Sequence, residues 1–147
     1  MATRLEELLG EFEVRRFPEG TRTADDAARA IGCSLGQIVK SLIFLAAGRP
    51  VVALVSGANR LDPNRLAGLA GDPVIKADAE ATRVATGYAI GGVPPFGHTQ
   101  PLAVYVDRDL LGYAVVWAAA GRPDSVFAVT PARLLEISGG SVADLKA

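Results

Sequence analysis

Residues 38–56 read IVKSLIFLAAGRPVVALVS, two apolar and largely β-branched runs with Gly48-Arg49-Pro50 between them. Apolar and β-branched residues favour strands, and a glycine with a proline between two such runs indicates a tight turn. The stretch therefore predicts a β-hairpin, with one strand over residues 38–47 and the other over residues 51–56.

Lys40 and Ser41 are the only polar residues of the first predicted strand. Burying an ammonium group costs several kcal/mol unless a partner compensates it, so an apolar strand seldom carries a lysine without a reason. Either Lys40 points to the solvent face of an edge strand, or it lines a cleft and meets an anionic ligand. The strand pattern alone leaves both alternatives open.

Short helices and strands alternate on both sides of the hairpin. Thr23 is a good N-cap for a helix over 24–31 that Gly32 ends, and Asp62 followed by Pro63 begins another. The remaining predictions are helices over 3–14, 77–85 and 130–136, and strands over 73–76, 102–106, 113–118 and 126–129. The pattern predicts a single mixed α/β domain over residues 1–147, with hairpins and short helices rather than regular βαβ units.

Composition excludes several classes of protein. Half of the 147 residues are hydrophobic, 21% are charged and the net charge is −1. No apolar run approaches the roughly 18–20 residues of a membrane span, and the first residues lack the apolar core of a signal peptide. A single cysteine, Cys33, rules out an internal disulfide and leaves no cluster of metal ligands. We expect a cytoplasmic protein with no metal, no cofactor and no membrane contact.

The near-neutral charge argues against binding along a nucleic-acid backbone, and no run of lysines and arginines exists. The small basic groups at Arg15-Arg16 and around Arg60 and Arg65 fit solvated faces. We therefore expect no binding to DNA. If the protein contacts a nucleic acid, it holds one end of it or relies on a partner.

The strongest local motif is GGVPPFGH at residues 91–98. Its two glycines let a ligand approach the main-chain amides closely, while its two prolines stiffen the loop. Such a loop can form a small cradle for an anion or a carbonyl, and a plain rigid turn explains it equally well. His98, the sole histidine, is a candidate general base, although a loop histidine without a partner nucleophile is more often a surface residue.

Four motifs together resemble the YbaK/ProX family of aminoacyl-tRNA deacylases, which is related to the editing domain inserted in bacterial prolyl-tRNA synthetases. They are IVKSL at 38–42, VSGANRLD at 55–62, TGYAIGGVPPFG at 86–97 and AGRP at 120–123. The similarity runs from about Thr23 to Asp144, with the motifs in family order. It implies a curved, mixed β-sheet that is partly barrel-like and surrounded by short helices. It also implies trans-editing, the hydrolysis of the ester between a wrong amino acid and the 3′-terminal adenosine of a tRNA.

The resemblance also implies the site. Lys40 matches the family's signature pocket residue, the loop from Gly91 to Pro95 flanks the aminoacyl ester, and Gly121 lies on the opposite wall. The implied catalytic residues are Lys40, Gly91 and Gly92. The implied substrate-binding residues are Ser41, Ser56, Gly57, Asn59, Pro94, Pro95, Phe96 and Gly121. The implied partners are the acceptor end of a mischarged tRNA and a synthetase or elongation factor that delivers it.

An activated ester needs little beyond a positioned water and donors aimed at the developing oxyanion, which the loop glycines could supply. Lys40 could hold the terminal phosphate or ribose, or polarise the ester carbonyl. Without a convincing protein base, we expect assistance by the substrate, for instance by the vicinal ribose hydroxyl. Alanine-specific relatives tend to carry asparagine where Ser41 stands, so an alanine-specific assignment is weakened. Two alternatives remain, a non-catalytic module that binds aminoacyl-tRNA or a synthetase and a hydrolase of small esters or thioesters.

Overall fold

The computed structural model describes residue 7, residues 9–17 and residues 23–147. Eight strands are described: β1 Val14–Arg16, β2 Val39–Ala46, β3 Arg49–Ser56, β4 Val74–Lys76, β5 Ala103–Asp107, β6 Val116–Ala119, β7 Ser125–Val129 and β8 Ser141–Ala143. Four helices of eight residues are described: α1 Ala24–Ile31, α2 Pro63–Ala70, α3 Ala79–Thr86 and α4 Pro131–Ser138. Of the helix predicted over residues 3–14, the described residues 7 and 9 are helical, residues 10–12 form a turn and Val14 already begins β1.

The predicted hairpin is the centre of the larger sheet, whose strand order is β4-β2-β3-β5-β8. β2 and β3 pair antiparallel, with Ala46 opposite Arg49. The turn between them is Ala47-Gly48, both with positive φ, so Arg49 and Pro50 already belong to β3. The predicted turn is thus displaced by one residue, because two positive-φ residues match the right-handed twist of paired strands.

A second sheet has the order β1-β7-β6, and an isolated bridge between Ile38 and Trp117 connects it to the start of β2. β3 pairs parallel with β5, and β5 pairs parallel with β8, so the larger sheet is mixed. The mixed α/β prediction is confirmed. Within the described residues the two sheets stay separate rather than closing into a barrel.

Local capping explains where the helices begin. The side chains of Thr23, Asp62, Asp78 and Thr130 each accept a hydrogen bond from a main-chain N–H in the first turn, which confirms the predicted helix starts at Thr23 and Asp62. β6 is shorter than the predicted strand over 113–118, because a 3-10 turn at Arg108–Gly112 precedes it and the chain pairs only from Val116. No described helix is long and apolar enough to cross a membrane.

The hairpin separates two apolar layers. Alternate residues of β2 and β3, such as Ile43 and Leu54, pack into a core against Phe127 of the smaller sheet. The other face packs beneath α2, with Val55 against Leu66. Because successive strand residues point to opposite faces, Lys40 and Ser41 emerge on opposite faces of β2.

Residues near position 146 pair back onto the segment that follows β3. Leu61 and Lys146 form an isolated antiparallel bridge. The Asp62 N–H donates to the Leu145 carbonyl at 2.8 Å, and the Ala147 N–H donates to the Arg60 carbonyl at 2.8 Å. This pairing fixes the segment beside Asn59, a residue that proves important for Lys40.

Candidate functional site

An open cleft of about 270 Å³ lies where the first half of β2 meets the second sheet. Its walls are Ile38, the first four residues of β2, the start of α1, Trp117 of β6, and the loop residues Ile90, Gly91 and Pro123. The cleft exists because β4 pairs with β2 only from Phe44 to Ala46. The earlier part of β2 therefore has an uncovered edge.

Lys40 lines this cleft, and its ammonium nitrogen lies 2.6 Å from the Asn59 carbonyl oxygen, which accepts a hydrogen bond from it. Burial lowers the pKa of Lys40 below its ordinary value, while the Asp107 carboxylate opposes this shift. The positive charges of Lys76 and Arg60 lower the pKa further. Lys40 thus lies close enough to two other cations to feel their charge, and clustered positive charge favours an anion.

Asp107 is the buried residue that organises this region, and the sequence pattern did not single it out. Its side chain is 1% exposed and accepts hydrogen bonds from the Ser56 N–H at 3.0 Å, the Asn59 side-chain amide at 2.9 Å and the Asp109 N–H at 3.0 Å. It thereby holds the Asn59 carbonyl against Lys40. The sequence feature that could have identified Asp107 is its position directly after the apolar strand predicted over 102–106.

Ser56 and Gly57, predicted to bind substrate, lie behind β2 and not among the residues that line the cleft. Ser56 donates its hydroxyl proton to the Gly36 carbonyl at 2.7 Å and is 2% exposed. The Gly57 N–H donates to the Ile38 carbonyl at 2.7 Å, and a Cβ at Gly57 would lie 2.5 Å from the Leu35 carbonyl oxygen. These contacts give both residues a role in shaping the turn, and their substrate contact stays a prediction.

The two glycines of the predicted loop have different environments. Gly91 is exposed, has φ 89° and lines the cleft. Gly92 is buried, and its N–H donates to the Ala89 carbonyl at 2.9 Å. A Cβ at Gly92 would lie 2.9 Å from the carbonyl carbon of Arg122, so the loop packs backbone to backbone against the turn between β6 and β7. The Gly92 amide is used inside the protein, and its predicted role as a donor to substrate stays untested.

Pro94, Pro95 and Phe96 are buried and anchor the loop rather than line the cleft. The Phe96 ring meets the Phe127 ring edge to face, with centroids 5.9 Å apart. Gly121 has φ 99° and forms the turn that carries Pro123 into the cleft wall. The structure thus brings Lys40, Ser41 and Gly91 to one cleft and places the other predicted residues in the layer that supports it.

His98 lies outside this cleft, in a groove beside the end of α4. Its Nε2 lies 2.8 Å from the Pro94 carbonyl oxygen, which can only accept, so Nε2 carries the proton. Burial lowers the pKa of His98, so the ring stays neutral near pH 7. Burial likewise raises the pKa of the Cys33 thiol, which packs in an apolar cluster with Ala28 and Trp117. Among the residues that the structure describes, no three His, Cys, Asp or Glu side chains group together as metal ligands.

Comparisons with known proteins agree with this architecture. The family model described as "Aminoacyl-tRNA editing domain" matches residues 18–137. The "Uncharacterized protein YwhH" of Bacillus subtilis is 33% identical over 133 residues, which are 90% of this chain and 85% of that protein. The "Putative Cys-tRNA(Pro)/Cys-tRNA(Cys) deacylase EbsC" of Enterococcus faecalis is 28% identical over 134 residues, 88% of this chain and 80% of that protein. A solved structure described as "a putative trans-editing enzyme for prolyl tRNA synthetase" superposes with a TM-score of 0.90 at 46% identity, covering 100% of this chain and 99% of that one.

Proposed function

Because the chain belongs to the aminoacyl-tRNA editing domain family, we propose that it is a trans-editing deacylase. In this proposal it hydrolyses the ester that joins a mischarged amino acid to the 3′-terminal adenosine of a tRNA. The reaction takes place in the cytoplasm on tRNA that a synthetase or an elongation factor delivers. The relatives support an editing role, and the ester hydrolysis itself is what we propose for this chain.

One observation carries the proposal: Lys40 and the exposed Gly91 line the same cleft. An ammonium group has three N–H donors, and the Asn59 carbonyl engages Lys40 at 2.6 Å. The remaining donors can bind a phosphate or ribose oxygen of the acceptor end. Lys76 and Arg60 add positive charge near this ammonium, which favours the approach of an anion.

The chemistry that the cleft supports is attack by water on the ester carbonyl carbon. The new bond forms from the water oxygen, the bond from that carbon to the ribose oxygen breaks, and the ribose oxygen leaves with a proton. The described cleft residues include no carboxylate or imidazole, so the vicinal ribose hydroxyl is the proposed proton relay, which takes a proton from the attacking water as it passes its own proton to the leaving ribose oxygen. The protein then contributes positioning and donors to the oxyanion.

The test is deacylation of a panel of mischarged tRNAs by the wild-type protein, Lys40→Met and Lys146→Met. Lys146 is a matched control, since it is an exposed lysine paired with Asp109. We expect hydrolysis of at least one mischarged tRNA, a loss of about a hundredfold or more in Lys40→Met, and near wild-type rates in Lys146→Met. No hydrolysis of any pair, or full activity in Lys40→Met, would refute the proposal.

A second candidate function is a non-catalytic module that binds aminoacyl-tRNA, and the lack of a carboxylate or imidazole among the described cleft residues favours it. The same panel separates the two. Stable binding of an aminoacyl-tRNA without release of its amino acid would select the binding module.

A further inference from the structure

The uncovered edge of β2 presents the polar main-chain groups of Ser41 to the cleft. β3 pairs with β2 along its whole length, whereas β4 reaches only Phe44–Ala46 on the other side. Ser41 lies between that end of β4 and the bridge from Ile38 to Trp117. No strand in the described part of the chain pairs with Ser41 on this side.

The register fixes where the Ser41 main chain points. In an antiparallel ladder, the N–H and C=O of one residue point to the same neighbour, and successive residues alternate between the two sides. The Ile38 carbonyl accepts from Gly57 on the β3 side, and the Ile43 carbonyl accepts from Ala77 on the opposite side. Counting from either residue, the N–H and C=O of Ser41 point away from β3 and into the uncovered edge.

The Ser41 side chain also lacks a hydrogen-bond partner among the described residues. Its hydroxyl oxygen is buried. Buried polar groups are paired in the great majority of cases, so each exception requires an explanation. Ser41 thus carries a main-chain donor and acceptor on a side where no described strand pairs with it, and a buried hydroxyl with no hydrogen-bond partner among the described residues.

We propose that the aminoacyl group of the substrate binds to this edge as a strand of a single residue. An extended amino acid ester carries its ammonium and its carbonyl oxygen on the same side, as a strand residue does. Its ammonium donates to the Ser41 carbonyl, and the Ser41 N–H donates to the ester carbonyl and then to the developing oxyanion. Two bonds exchanged between the same two residues are the antiparallel pattern, which sets the direction of the substrate. This inference rests on the proposed function.

That direction predicts what the edge selects. An antiparallel partner of Ser41 runs from Ile43 toward Ile38, so the ribose lies near Trp117 and the ammonium lies toward β4. There the edge closes, because Ala77 already donates to the Ile43 carbonyl at 3.0 Å. A residue joined to the α-amino group of the bound amino acid would therefore find this part of the β2 edge already paired. The site is therefore selective for a free α-amino group and against peptidyl or N-acylated esters.

Amide hydrogen exchange measured by NMR tests the proposal on the wild-type protein. The probes are 3′-deoxy-3′-aminoacylamino-adenosines that carry alanine, serine, cysteine or proline, and their N-acetylated forms. We expect the Ser41 amide to exchange rapidly in the free protein and about tenfold or more slowly with a bound probe. The Leu42 amide, which points to β3, is the control and stays protected in both states. N-acetylation weakens binding by about tenfold or more.

The outcomes separate this inference from the proposed function. If probes bind and mischarged tRNA is hydrolysed but Ser41 exchange is unchanged, or N-acetylated probes bind equally well, the strand-edge inference is wrong and the deacylase function stands. If no probe binds and no tRNA is hydrolysed, both fail.

Two variants cover the case in which tRNA is hydrolysed but the probes do not bind. Ser41→Pro removes an N–H that no described ladder uses, and a proline is tolerated on an uncovered strand edge. We expect a loss of about a hundredfold in kcat in Ser41→Pro with cooperative unfolding retained, and a smaller loss in Ser41→Ala, which keeps the N–H. A folded Ser41→Pro protein with the activity of Ser41→Ala would overturn the inference.

Discussion

Replacing Asp107 by asparagine tests whether this buried carboxylate controls the Lys40 ammonium. Asparagine has nearly the same shape, so it creates no cavity. Asp107 accepts from Ser56 and Asn59 at one oxygen and from Asp109 at the other. Asparagine can accept at only one of these positions, so at least one N–H meets an amide donor instead. A buried donor without an acceptor costs about 1–3 kcal/mol, and we expect the free energy of unfolding to fall by that amount.

The same change acts on the pKa of Lys40. The Asp107 carboxylate opposes the effect of burial, which lowers the pKa of that ammonium. Without the carboxylate the pKa of Lys40 falls further, so the ammonium loses its proton at lower pH. If the protonated form supports deacylation, the basic limb of the pH–rate profile moves to lower pH in Asp107→Asn.

Urea unfolding and a pH–rate profile on the substrate found in the tRNA panel measure both effects. Asp72→Asn is the matched control, because Asp72 forms an exposed pair with Arg49. Loss of this ion pair should lower the free energy of unfolding by at most about 1 kcal/mol and leave the pH–rate profile unchanged. An Asp107→Asn protein within about 0.5 kcal/mol of wild type, with an unshifted basic limb, would refute the reasoning.

Three further substitutions test the cleft and its supports. Lys40→Met should change the free energy of unfolding by less than about 1.5 kcal/mol while deacylation collapses, because the lost hydrogen bond is offset by relief of a buried charge; a large drop in melting temperature would instead make Lys40 structural. Gly92→Ala should destabilise by about 1–3 kcal/mol and lower activity, since its Cβ would lie 2.9 Å from the Arg122 carbonyl carbon. Gly68→Ala, at an open position within α2, should instead stabilise by up to about 1 kcal/mol in the same urea experiment. Equal effects of the two glycine substitutions would contradict the close packing of Gly92.

The sequence was sufficient for features that local interactions determine. The hairpin follows from two apolar runs around a turn, and the caps at Thr23 and Asp62 follow from side chains that bond amides within the same turn. The mixed sheet followed from the order of these elements together with the family resemblance. The turn at Ala47-Gly48 is displaced because strand twist selects the turn geometry, and twist depends on both strands.

Features that depend on distant contacts were not available from the sequence. The motif at residues 91–97 suggested exposed amides, yet Gly92 packs against Arg122, and Phe96 meets Phe127. Asp107 bonds residues about fifty positions earlier in the chain, so no local pattern could reveal its role. The uncovered edge at Ser41 depends on where β4 stops, which the residues of β2 do not encode.

The pairing of Arg60–Asp62 with Leu145–Ala147 has a consequence for the order of folding. These contacts close a loop of more than eighty residues, and such contacts form late because the entropy of closing the loop must first be overcome. During synthesis from the N-terminus, the hairpin can form long before residue 145 leaves the ribosome. We therefore expect the segment that follows Asn59 to be fixed only in the last stage of folding, so that a nascent chain with a complete β2–β3 hairpin does not yet have a finished support for Lys40.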